Sequence, residues 1–131
     1  MRIQIIDDQN RPMFEVGSAT LQPYTAEILL AIGKTLNRIQ NNIDLSGHTD
    51  VSHYRGIGVG YTNWELSLDR ANASRRELAI GGMDDGKVLR VVGLASSVLF
   101  NPQDPLDAHN RRISIIVMNE ETAKDARETE E

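Results

Sequence analysis

Within "LSGHTDVSHY", residues 45–54, stand His48, Asp50 and His53. Two imidazoles and a carboxylate are ligand types that suit zinc or iron. The spacing is unhelpful to a metal, however. His48 and Asp50 share one face of a period-two segment, His53 follows in a turn, and the remaining imidazole, His109, lies far along the chain. There is no H-E-x-x-H helix, so hydrogen-bonding or surface histidines are the expected reading, with no metal and no cofactor. The glycines of "GIGVGYTNWE" precede a helix, whose N-terminus attracts anions, but the spacing is G-x-G-x-G and no Walker lysine follows. A flexible loop is the simpler reading. Nucleophilic catalysis has little to stand on, because there is neither a G-x-S-x-G elbow nor any cysteine.

A sharper constellation remains. Asp50 ends a strand, where a side chain can face a pocket. Asn63, Leu66 and Arg70 fall at i, i+3 and i+7 and share one face of the following helix. If that face borders the strand end, Asp50 and Arg70 stand across a cleft with Asn63 between them, and Arg111 can line the same cleft. One fixed carboxylate and one fixed guanidinium match a zwitterion, the first accepting from an ammonium and the second forking onto a carboxylate. A purely structural Asp50–Arg70 salt bridge fits the same pattern equally well.

The elements that must position these residues are legible. "RIQIID" alternates as a strand with Ile3 and Ile5 on one face. Pro23 opens an amphipathic helix over about residues 23 to 39, with Ile28, Leu29, Ile32, Leu36 and Ile39 at helical spacing. "NNIDLSGHTD" returns to period two, placing Ile43, Leu45 and Gly47 on one face and Asp44, Ser46 and His48 on the other. "TNWE" is a capping box that starts a second helix, and Gly81-Gly82 stops it. "KVLRVVGL" and "RISIIVM" supply two more strands around a loop carrying "NPQDP". The order β-α-β-α-β-β predicts an α/β sandwich, a mixed four-stranded sheet with helices packed on one face. The domain spans residues 1–118, and 119–131 form an acidic tail without apolar periodicity, read as a solvated tail or frayed helix end.

The chain of 131 residues suits a single domain, with 40% hydrophobic and 25% charged residues. A net charge of −5 argues against non-specific binding to nucleic acid, although Arg70, Arg75, Arg76, Arg111 and Arg112 cluster in two short stretches. No run approaches transmembrane length and no signal-peptide pattern is present, which fits a cytosolic protein or a soluble piece of a longer chain.

"LSGHTD", "NWELSLDRANASRREL" and "NRRISIIV", in that order, resemble the OmpA-like peptidoglycan-binding domain over about residues 3 to 118. Within it, Trp64 and "GGMDDGKVLRVVGLASSVLF" are most similar to the cell-wall-anchoring subunit of the flagellar motor stator. The resemblance implies a non-enzymatic peptidoglycan anchor in the periplasm, belonging to an inner-membrane protein. Its transmembrane segment, absent here, would pair with motility protein A, and the domain would be a homodimer. It also implies that Asp50 and Arg70 hold diaminopimelate of the stem peptide, with Thr49, Asn63, Leu66 and Arg111 beside them. On that reading His48 and Thr49 support the strand end and the orientation of Asp50. Glu15 stands where many relatives have aspartate, and Gly17 where some have an asparagine that touches ligand. The first loop's contacts are therefore the part of the site least supported by the resemblance. The glycine loop from Gly56 to Gly60 is expected to be mobile. Two rival classes remain: another OmpA/Pal-like envelope tether outside the motor, and a metallohydrolase built on the histidines.

Overall fold

The computed structural model describes residues 1–8, 10–52 and 60–129. The elements run β1 (Arg2–Ile6), α1 (Pro23–Leu36), β2 (Ile43–His48), α2 (Asn63–Ile80), β3 (Val88–Gly93), β4 (Arg112–Val117) and α3 (Glu120–Thr129). The strands form one sheet in the order β1-β4-β2-β3. β1 and β2 both pair antiparallel with β4, while β2 and β3 are parallel. This is the mixed four-stranded sheet that the β-α-β-α-β-β order predicts. The expectations for His53 and for Gly56 and Gly58 lie outside the described residues.

The alternation read from the sequence sorts the two sheet faces. Ile43, Leu45, Ile113, Ile115 and Val117 are buried with Leu29, Leu36 and Leu78 of α1 and α2, and with Met13 and Phe14 of the first loop. In register, Ile115 faces Ile3 on one side and Leu45 on the other, so each strand contributes to a continuous apolar row. α1 begins at Pro23 and ends at Leu36, three residues short of the periodicity. The bonds Arg38 N–H to Thr35 O (3.1 Å) and Ile39 N–H to Leu36 O (3.3 Å) tighten the chain into 3-10 geometry while Ile39 still reaches the core.

α2 is capped as its sequence requires. Thr62 Oγ1 accepts from Trp64 N–H at 3.2 Å, and Glu65 Oε1 accepts from Thr62 N–H at 2.7 Å. Glycine then sets how closely this helix lies on the sheet. A Cβ on Gly47 of β2 would sit 2.1 Å from the Ser67 carbonyl oxygen, and one on Gly93 of β3 would sit 2.6 Å from Leu68 N. Only hydrogen at both positions admits the helix, and Ser67 Oγ then accepts from Ala95 N–H at 3.0 Å.

The acidic tail departs from its expectation. Residues 120–129 are helical, and Ala123 and Ala126 are buried with Met118 against Leu89 and Ile116 on the sheet face away from α1 and α2. Two alanines at i and i+3 form a narrow stripe that hydrophobic periodicity barely registers, yet it suffices to seat a helix on two larger side chains.

Candidate functional site

β2 ends at His48, and the chain turns under tight local control. Thr49, fully buried, donates from its N–H to Ala95 O (2.8 Å) and from its hydroxyl to Asp50 O (2.8 Å). Asp50, 1% exposed, accepts from Ser52 N–H at 2.9 Å on Oδ1 and from Arg111 Nη1 at 2.5 Å on Oδ2. From the first turn of α2, Asn63 Nδ2 donates to Ser52 O at 2.7 Å and to Asp50 O at 3.4 Å. The face of α2 carrying Asn63, Leu66 and Arg70 therefore borders the end of β2. Leu66, on the same face, is 1% exposed.

One turn further along α2, Arg70 is 5% exposed. It donates through Nε to Ser18 O (2.8 Å) and through Nη2 to Glu15 O (3.3 Å), and its guanidinium carbon lies 4.8 Å from the centroid of the Phe14 ring. These carbonyls belong to a loop closed by an antiparallel bridge between Phe14 and Leu21 and by Gln22 N–H to Met13 O at 2.9 Å. Gly17 takes φ of 64°, a left-handed turn that suits glycine and brings the Glu15 and Ser18 carbonyls to the same side chain. The first loop thus supports the site through its backbone. Gly17 matters there for the turn it permits.

Arg111 has a larger part than lining a cleft. It bridges two buried carboxylates, Asp50 through Nη1 and Asp7 through Nε at 2.9 Å. Its position is set by the long β3–β4 connection, which folds around Asn110: Asn110 Oδ1 accepts from Asn101 N–H (2.7 Å) and Nδ2 donates to Asp104 O (2.9 Å). The sequence reading missed Asp7, and no local signal marks it. It is the polar residue after a strand, and its partner lies 104 positions away.

His48 faces elsewhere. It lies on the outer sheet face, 3.5 Å from Ser46 Oγ, so Thr49 holds the Asp50 turn and His48 does not share that task as expected. Burial, then the positive charges of Arg112 and Arg2, lower its pKa to about 4, which leaves it neutral at pH 7. His109 pairs instead with Asp107 at 3.1 Å. Among the described residues, no three His, Cys, Asp or Glu side chains are grouped to hold a metal ion.

The arrangement has an anionic end, with Asp7 and Asp50 around Arg111, and a cationic end at Arg70. Both ends are buried and held by hydrogen bonds, which offsets the cost of burying charge.

The chain is 60% identical over 121 residues to motility protein B of Escherichia coli K12, a match covering 92% of this chain and 39% of that protein. It thus spans well under half of that relative's length. Among solved structures, the periplasmic domain of Helicobacter pylori MotB superposes with a TM-score of 0.73 at 15% identity, covering 98% of this chain and 90% of that one. The cell wall anchor of the type VI secretion system from Pseudomonas aeruginosa gives 0.68 at 29% identity, covering 91% and 81%. The OmpA family pattern matches residues 13–112, a span that takes in the first loop, the Asp50 turn, Arg70 and Arg111. The chain belongs to the OmpA family.

Proposed function

We propose that this domain is a non-catalytic anchor that ties the flagellar motor stator to the cell wall by binding diaminopimelate of the peptidoglycan stem peptide. The observation that carries the reading is the pair of opposite charges fixed at the β2 end and on α2. A carboxylate can accept about four hydrogen bonds, and two are made by Ser52 and Arg111. Asp50 therefore keeps capacity for an ammonium, and on this proposal the Arg70 guanidinium takes the carboxylate of the same zwitterion. Thr49, Asn63 and Leu66 hold the two in place, and Arg111 sets the orientation of Asp50.

No helix among the described residues is long and apolar enough to cross a membrane. The pairing with motility protein A would belong to a transmembrane segment outside this chain. On this reading the domain is periplasmic, belongs to an inner-membrane protein and works as a homodimer, and the likeness to motility protein B supports that reading. The likeness to a secretion-system cell wall anchor favours a second reading, an envelope tether binding the same ligand outside the motor.

The test is co-sedimentation with sacculi containing diaminopimelate or lysine, using wild type, Asp50→Ala and Arg70→Ala, each shown to be folded by circular dichroism. Wild type is expected to pellet with the diaminopimelate wall alone, and each variant to lose at least about tenfold in binding, as one charge-assisted contact implies. Equal pelleting by the variants would make Asp50 and Arg70 structural. Fusion to a stator transmembrane segment separates the two readings, since only a stator anchor restores swimming.

A further inference from the structure

Asp7 stands before residue 13, where the family match begins. It is 3% exposed, and each of its carboxylate oxygens accepts a hydrogen bond. Its N–H donates to Arg111 O at 3.0 Å, extending the β1–β4 ladder by one step. Its Oδ2 accepts from Arg111 Nε at 2.9 Å, and its Oδ1 accepts from Met13 N–H at 2.8 Å. The second of these bonds orients the guanidinium that caps Asp50. The third fixes the base of the loop whose Glu15 and Ser18 carbonyls hold Arg70. One buried carboxylate is thereby joined to both charged ends of the site.

Its charge matters as much as its geometry. Without Asp7, Asp50 and Arg111 would form a neutral pair with little attraction for a cation. With it, the three side chains carry a formal net charge of −1, in a setting where few water dipoles screen it. Holding Arg111 by Nε also keeps that cation beside Asp50, so that an arriving ammonium can share the carboxylate without displacing the guanidinium.

We infer that Asp7 is a positioning and specificity-determining residue, which makes the Asp7–Arg111–Asp50 cluster selective for a ligand bearing an ammonium group. The inference rests on the diaminopimelate reading of the same site.

Three stem tripeptides serve as probes in titration calorimetry. They end in diaminopimelate, in 2-aminopimelate (which keeps the carboxylate and lacks the terminal ammonium) or in lysine (which keeps the ammonium and lacks the carboxylate). Wild type is expected to prefer diaminopimelate to both analogues. In Asp7→Asn the diaminopimelate affinity should fall by about tenfold or more, while the 2-aminopimelate affinity changes little, so the ratio between them contracts. A parallel loss for both ligands would show general damage to the fold and overturn the inference. An unchanged ratio would overturn it too, leaving the anchor reading intact. If folded wild type binds no probe and no sacculi, both fall together. A second measurement covers failure of the variant to fold. In the wild type, the Arg111 Nε–H resonance should stay protected from exchange in the free and bound states. Its loss on binding would mean that the ligand breaks the Asp7 clamp, contrary to the inference.

Discussion

His48 shows what a buried position does to a single side chain. Its pKa is lowered to about 4 in the folded chain, first by burial and then by Arg112 and Arg2, against an ordinary value of 6.5. Between these values the unfolded chain binds the proton and the folded chain does not. Stability therefore rises with pH through that window and is lost as pH falls from about 6.5 toward 4. The loss across the window is on the order of 3 kcal/mol. His48→Gln should flatten the stability profile across the window, as followed by urea unfolding at several pH values. The histidine ring signals of wild type should show His48 still neutral at pH 5.5, roughly a unit below the ordinary value. A midpoint near 6.5 would mean that the ring is open to water.

At the scale of elements, the site depends on how closely α2 lies against β2 and β3. Asn63 and Arg70 ride on that helix, and a Cβ at Gly47 would stand 2.1 Å from the Ser67 carbonyl oxygen, a backbone atom that no rotamer can move aside. Gly47→Ala should cost about 1–3 kcal/mol in urea unfolding, because it forces the helix outward. It should also weaken wall binding beyond the loss of folded protein, since the shift separates Asn63 from Ser52. Unchanged stability would show that the helix can lift freely and that the site tolerates it.

At the scale of the whole molecule, the sheet is covered on both faces by different means. α1 and α2 bury a wide apolar face, whereas α3 rests on Leu89 and Ile116 through Met118 and two alanines, and Arg127 donates to Asn42 Oδ1 at 2.8 Å. Ala123→Glu would bury a carboxylate at this narrow seam and should release α3, costing about 1–3 kcal/mol. Amide exchange over residues 120–129 should rise sharply while the β2 and β4 amides stay protected. Wall binding should persist, because Asp50, Arg70 and Arg111 lie away from that seam. Uniform exchange across the whole chain would instead make α3 part of one cooperative unit.

The sequence by itself determined the elements before residue 119. Period-two runs from Ile3, Ile43 and Ile113, the capping box at Thr62 and the Gly81-Gly82 stop are local signals, written in residues a few positions apart. The placing of Asn63, Leu66 and Arg70 on one face was equally local. What only the tertiary structure decided were the pairings across distance: Arg111 as the direct partner of Asp50, Asp7 behind it, and first-loop carbonyls as acceptors for Arg70. A buried polar group must find a partner, yet nothing in its neighbours along the chain says which one. Sheet order brings Asp7 and Arg111 together as the β1–β4 ladder ends. The tail stayed hidden for a related reason, since two alanines carry little hydrophobic signal until the sheet presents a surface that fits them.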